Sequence, residues 1–221
     1  LITNVAIQKT TFKYEIPYML LITAVLLVMG MTGNEITFIE GVILWILFIA
    51  YLLYLYFLAK KGNDSGDEQS VKLYPVWKCL LFIVLGGVCV VIGSQLVVNG
   101  ATTIARACGM SERFIGLTIV AFGTSLPELV TSVSAARKGN AGIAIGNIVG
   151  SNIFNILFVI GTVALICPVP FESRFVIDTV VAILCGVLLW GGTIRHKELR
   201  KPCGVVMLLC YAAYFVYLAA M

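Results

Sequence analysis

Charge is scarce in this chain. Asp, Glu, Lys and Arg make up 12% of its 221 residues, against roughly a quarter in soluble domains. That deficit excludes an ordinary soluble fold. There is one histidine, His196. It lies in a polar loop, so a hydroxyl nucleophile such as Ser125 has no base within reach, which argues against an intramembrane serine hydrolase. The seven cysteines (Cys79, Cys89, Cys108, Cys167, Cys185, Cys203 and Cys210) show no C-x-x-C spacing, and they read as small apolar packing residues rather than metal ligands or disulfides. No cleavable signal peptide is visible. The longest polar stretch, residues 60–75 (KKGNDSGDEQSVKLYP), lacks the spacing of a calcium-binding loop and reads as a flexible linker, too short for a regulatory domain.

What is abundant is apolar sequence, 60% of the chain. Seven runs approach or reach membrane length: Pro17–Met31, Phe38–Ala59, Trp77–Val98, Arg113–Ala136, Gly142–Ile166, Phe175–Thr193 and Gly204–Met221. Unpaired backbone groups are not tolerated in lipid, so these runs must be helices, and the fold class is all-α integral membrane. Seven crossings put Lys9, Lys13, Lys60, Lys61, Lys72, Lys78, Arg137, Lys138, Arg195, Lys197, Arg200 and Lys201 on one side and only Arg106, Arg113 and Arg174 on the other. The positive-inside rule makes the first side cytoplasmic, with residues 60–75 inside and Met221 outside, in a cell (inner) membrane. The basic loop Arg195–Lys201 is then a topology signal, not a nucleic-acid patch.

Residues 1–16 read as a connector from an earlier helix, and Leu1 is not an initiator methionine, so a segment upstream is expected. Thr32-Gly33-Asn34-Glu35 reads as a bare turn. Tyr51, Tyr54 and Tyr56 read as interfacial anchors. In the third span Gln95, Asn99, Thr102 and Thr103 share a face suited to helix packing or to lining an ion path. The sixth and seventh spans read as scaffold. The pattern Gly41-Val42-Ile43, Ala50-Tyr51, Tyr54-Leu55 returns as Gly204-Val205-Val206, Ala213-Tyr214, Tyr217-Leu218. The two copies cross the membrane in opposite senses, the mark of an inverted repeat. The expected division is 1–59 for the end of a first repeat, 60–75 for the linker and 76–221 for a complete second repeat.

The chemistry concentrates between Gly116 and Gly161. On the fourth span Ala121, Thr124, Ser125, Glu128, Thr131 and Ser132 form one stripe at helical spacing. Pro127 removes a backbone donor and frees carbonyls around Gly123, where the chain can distort. On the fifth span Asn147, Ser151 and Asn155 recur every four residues, beside Gly142, Gly146 and Gly150, a ridge expected to let helices approach closely. A carboxylate inside a hydrocarbon span marks an ion path by default. Hydroxyls, carbonyls and a carboxylate together suit a hard cation such as Ca²⁺ or Na⁺, and no Cys or His shares the stripe to favour a soft metal.

The G-T-S-L-P-E of residues 123–128 and the G-S-N-I-F-N of residues 150–155 resemble the α-repeat of the sodium/calcium exchanger family, within the calcium/cation antiporters. The resemblance is strong over 93–161, and its compact linker resembles the microbial type. It implies a ten-helix fold of two inverted five-helix repeats, of which this chain is the C-terminal part. It further implies that Glu128 is the carboxylate shared by Ca²⁺ and Na⁺. Thr124, Ser125, Ser151 and Asn155 would supply side-chain oxygens, and Ala121 a backbone carbonyl. Transport would follow alternating access, by sliding of the peripheral first and sixth spans. The expected function is Ca²⁺/Na⁺ exchange, without an enzymatic activity or a cofactor. The partners are the two ions, the bilayer and a first α-repeat of the same protein, with a second G-T/S-S-x-P-E motif upstream of Leu1. Some potassium-dependent relatives carry Asp where Asn155 stands, so Asn speaks against potassium co-transport. The rival readings are a proton/calcium antiporter, in which Glu128 carries H⁺ in place of Na⁺, and an ion channel.

Overall fold

The computed structural model describes residues 5–62, 75–110, 115–116, 119, 121–194 and 198–220. The linker residues 63–74, Arg113 and the loop 195–197 with His196 lie outside the described residues. The helices are α1 (Ile16–Gly33), α2 (Phe38–Gly62), α3 (Val76–Ala107), α4 (Ala121–Thr124), α5 (Leu126–Arg137), α6 (Ala141–Phe154), α7 (Gly161–Ile166), α8 (Ser173–Ile194) and α9 (Lys201–Ala220). A π-helical turn, Thr11–Glu15, leads into α1, and another, Asn155–Ile160, joins α6 to α7.

Among the described residues, five helical stretches are long and apolar enough to cross a membrane: Thr11–Gly33, Phe38–Lys61, Val76–Ala107, Gly142–Ile166 and Ser173–Ile194. Lys201–Tyr217 is a shorter apolar helix. These are six of the seven expected spans; of the remaining one, the fourth, the described residues include the two helices α4 and α5. The third is longer than its apolar run. Its 32 residues rise about 48 Å at 1.5 Å each, beyond a hydrocarbon core of about 30 Å.

Helix ends follow local chemistry. At the start of α2 the Glu40 carboxylate accepts from the Thr37 amide at 2.7 Å and the Thr37 hydroxyl at 2.8 Å, a capping arrangement written as T-x-x-E. At the end of α3, Met110 N–H donates to Ala105 O and Gly109 N–H to Arg106 O. At the end of α5, Asn140 N–H donates to Ala135 O and Gly139 N–H to Ala136 O in the same way. Both glycines have positive φ, 78° and 80°, the left-handed turn that lets the last carbonyls find donors. The basic hinge 137–140 is this stop, with Asn140 preceding α6.

The chain forms two compact units, Leu1–Gly66 with Ser132–Leu208, and Asp67–Thr131 with Leu209–Met221. In the first, Ile16, Ile22, Leu44, Val149, Ile153 and Leu157 are among the fully buried side chains, bringing α1, α2 and the helix through Asn155–Ile160 together. Close approach depends on Gly41 and Gly161. A Cβ on Gly41 would lie 2.9 Å from Ala164 Cβ, and one on Gly161 would lie 3.2 Å from Leu44 Cβ. At the expected Gly142–Gly146–Gly150 ridge, Cβ atoms at Gly146 and Gly150 would meet none of the described residues within 4 Å. Spacing marks a small-residue face, but a neighbour must arrive before it becomes a packing face.

Two short antiparallel pairings staple the loops of this unit. Val5–Ala6 (β1) pairs with Glu198–Leu199 (β4), and Glu35–Ile36 (β2) with Val169–Pro170 (β3). The expected bare turn at 32–35 therefore does more. Asn34 takes φ 55°, and its carbonyl accepts from Phe171 N–H at 2.7 Å. Tyr51 and Tyr54, read as interfacial anchors, also make ring contacts within this unit. They turn toward the start of α1, where Tyr51 stacks on Tyr18 at 5.5 Å, whereas Tyr56 is 63% exposed.

The second unit is built on α3. α4 packs against it, and Phe122 of α4 lines an apolar cavity with Tyr211 and Phe215 of α9.

Candidate cation-binding site

Pro127 has no N–H to offer the carbonyl of Gly123, four residues earlier. The helix accordingly breaks at Ser125, between α4 and α5. The released Gly123 carbonyl is met by the Ser94 hydroxyl of α3 at 2.9 Å. α3 also approaches closely at Gly123, since a Cβ there would overlap Val98 Cγ2. Ser125 N–H bonds the Phe122 carbonyl at 3.1 Å, a three-residue step tighter than the four-residue step of an α-helix. The break thus puts the carbonyls of Ala121 and Gly123, the hydroxyls of Thr124 and Ser125, and Glu128 within two turns of chain.

Glu128 stands in the first turn of α5, where the positive end of the helix dipole favours an acidic side chain. It is half-buried, with Oε2 closed off from the surface. Thr124 and Ser125 are exposed. The lower stripe is committed to structure. Thr131 Oγ1 donates to Pro127 O at 2.8 Å, and Ser132 Oγ accepts from Asn147 Nδ2 at 3.1 Å, tying α5 to α6.

On the fifth span the Asn147 amide nitrogen is therefore engaged in helix packing. Ser151 Oγ donates to Ile148 O at 3.1 Å, and Asn152 Nδ2 to the same carbonyl at 2.9 Å. Asn155 opens the π-helical turn Asn155–Ile160. A π turn inserts one residue into the helical repeat and rotates the residues beyond it, a distortion common at functional sites. Of the expected ligand residues, Ala121, Thr124, Ser125 and Glu128 fall in the unit with α3, and Ser151 and Asn155 in the other.

Sequence reasoning missed Ser94. Its sign was a hydroxyl in an apolar span beside Gln95, but its partner lies 29 residues away. Thr102, noted for its polar face, has a buried Oγ1 that finds no hydrogen-bond partner among the described residues. Among the described residues no three His, Cys, Asp or Glu side chains converge as a metal-holding cluster. Among the described residues, what surrounds the break at Glu128 is one carboxylate with hydroxyl and carbonyl oxygens, a hard donor set.

A family model for sodium/calcium exchanger protein matches residues 78–220. The protein CaxA of Alkalimonas amylolytica is 34% identical, over 97% of this chain and 70% of its own length. The sodium/calcium exchanger MaX1 of Methanosarcina acetivorans is 38% identical, over 64% of this chain and 41% of its own. The solved sodium/calcium exchanger from Methanococcus jannaschii superposes with a TM-score of 0.78 at 31% identity, over 97% of this chain and 67% of that one. The chain thus spans between 41% and 70% of the length of these relatives. These relatives are transport proteins where their function is named, and the family match covers the broken helix, Glu128 and Asn155 together. The chain belongs to the sodium/calcium exchanger protein family.

Proposed function

We propose that this chain is the C-terminal part of a secondary transporter that exchanges Ca²⁺ for Na⁺ by alternating access of a mid-membrane site. The observation that carries the reading is the helix break at Ser125, one turn before Glu128. Glu128 is the carboxylate shared by the two ions. Thr124, Ser125, Ser151 and Asn155 are side-chain ligands, and Ala121 offers a backbone carbonyl. The boundaries 1–59, 60–75 and 76–221 are those of a first-repeat remnant, a cytoplasmic linker and a second repeat. A first α-repeat of the same protein supplies the second glutamate.

Two glutamates make a site near −2, which one Ca²⁺ or several Na⁺ neutralise. Neutralisation lowers the cost of carrying the site past the low-dielectric barrier, while the empty charged site stalls. That competition couples the two ions without any further device. The abundance of hydroxyls beside Glu128 favours Na⁺ over H⁺, because a proton needs no oxygen cage.

The test is ⁴⁵Ca²⁺ uptake into proteoliposomes of the natural full-length protein. A Na⁺ gradient alone should drive uptake and a H⁺ gradient alone should not. Glu128→Gln should reduce uptake by about a hundredfold or more, the scale of losing a charged ligand. Uptake driven equally by H⁺ would replace Na⁺ by H⁺ in the mechanism. Undiminished uptake by Glu128→Gln would refute the site.

A further inference from the structure

The buried side of the fifth span repeats every four residues. Ile145, Val149, Ile153 and Leu157 are buried, and Gly161 continues the series. A regular α-helix turns by about 100° per residue, so each four-residue step overshoots a full turn by about 40°. From Ile145 to Gly161 the drift would reach about 160°, enough to carry Gly161 to the opposite side. The π-helical turn Asn155–Ile160 inserts one residue and takes back about 100° of that drift. Gly161 thereby stays turned toward α2, where its Cβ would lie 3.3 Å from Trp45 Cδ1. The same rotation sets the direction of Ser151 and Asn155 relative to α2.

α2 grips this turn at both ends. At its start Phe154 and Phe158 stack at 4.7 Å and 23°, and Phe48 of α2 packs on both rings, at 5.9 Å and 5.4 Å. At its end the Trp45 indole N–H donates to Thr162 Oγ1 at 3.2 Å. The Thr162 hydroxyl donates in turn to the Phe158 carbonyl, which also accepts from Gly161 N–H. Bonds linked in series polarise one another, so Trp45 strengthens the hold of Thr162 on the turn. A π turn is a rare alternative to the regular helix, and these partners are what favour it here. Asn155 is the first residue of the turn and is exposed, so its direction follows the backbone.

We infer that Trp45 and Thr162 are positioning residues for the transported cation: they hold the π turn in register and so aim Asn155. The inference rests on the reading of Asn155 as a ligand. Neither Trp45 nor Thr162 is a ligand itself; both act through the backbone of the turn. When their bond is lost, the turn is free to relax toward a regular helix, which rotates Asn155 by as much as about 100° relative to α2. A misaimed ligand weakens ion binding, an effect on KM. The loaded carrier keeps its other ligands and its rate of turnover.

The test is the Ca²⁺ dependence of ⁴⁵Ca²⁺ uptake into proteoliposomes of the natural full-length protein. Trp45→Phe keeps a ring and removes the N–H, and Thr162→Val keeps the shape and removes the hydroxyl. Each should raise KM about fivefold, the scale of one hydrogen bond, at unchanged maximal rate per folded transporter. Thr162→Ser, which keeps the hydroxyl, should retain the wild-type KM. Asn155→Ala should raise KM about tenfold, and adding Trp45→Phe to it should raise KM no further, because the residue being aimed is gone. A merely structural role would change the amount of folded protein and leave KM alone. Wild-type KM in both Trp45→Phe and Thr162→Val overturns the inference, as does a fivefold increase that persists in the Asn155→Ala background. Wild-type KM in Asn155→Ala alone instead refutes Asn155 as a ligand, the reading beneath it.

Discussion

Replacing Gly123 with alanine puts a methyl group where Val98 already is. The new Cβ would overlap Val98 Cγ2 and lie 3.3 Å from Val98 Cβ. A rotamer change can swing Cγ2 away, but Cβ is fixed to the α3 backbone, so α4 or α3 must move. Overpacking of this kind costs about 1–3 kcal/mol, or roughly 5- to 150-fold in the folding equilibrium. The movement also lengthens the 2.9 Å bond from Ser94 to the Gly123 carbonyl, so transport should fall along with stability. Denaturant titration of purified protein reads the first effect, and ⁴⁵Ca²⁺ uptake the second. Val98→Ala in the same chain removes both Cγ atoms and should recover at least half of the loss, a coupling expected of residues in contact. Should Gly123→Ala lie within about 0.5 kcal/mol of wild type, or should Val98→Ala fail to rescue it, the close approach of α3 to the broken helix would be refuted.

Two further outcomes concern the same region. Ser94→Ala leaves the Gly123 carbonyl without its hydroxyl, and the denaturation midpoint should shift by about 1 kcal/mol equivalent, with slower uptake; unchanged values for both would make the bond incidental. Asn155→Asp adds a carboxylate at the start of the π-helical turn, and ⁴⁵Ca²⁺ uptake should become stimulated by K⁺. An identical K⁺ response in variant and wild type would separate Asn155 from the ion path.

The run lengths were readable because the bilayer imposes a length and forbids unpaired backbone, so apolar composition alone nearly spells the spans. The break in the fourth span was readable for a similarly local reason: Pro127 withholds a donor from Gly123 whatever surrounds it. Asn147 was harder. Its spacing places it with Ser151 and Asn155, yet its amide is taken up by Ser132, a choice set by the neighbouring helix. The glycine ridge is a similar case: among the described residues none lies within 4 Å of a Cβ at Gly146 or Gly150, while Gly41 and Gly161, outside the ridge, bring α2 against the fifth span.

By itself the sequence determined that this is a membrane protein, that its fourth span is broken, and that Glu128 sits just past the break. Each of these rests on interactions within a few residues of chain or with the bilayer as a uniform solvent. Tertiary structure decided what receives the released carbonyl, which polar residues are spent on packing, how the loops are stapled by β1–β4 and β2–β3, and that Tyr14, Tyr18, Tyr51 and Tyr54 line one cavity. Those depend on pairs far apart in the chain, such as Ser94 with Gly123 or Tyr18 with Tyr51. Whether such pairs meet depends on how whole helices pack, which no local periodicity encodes.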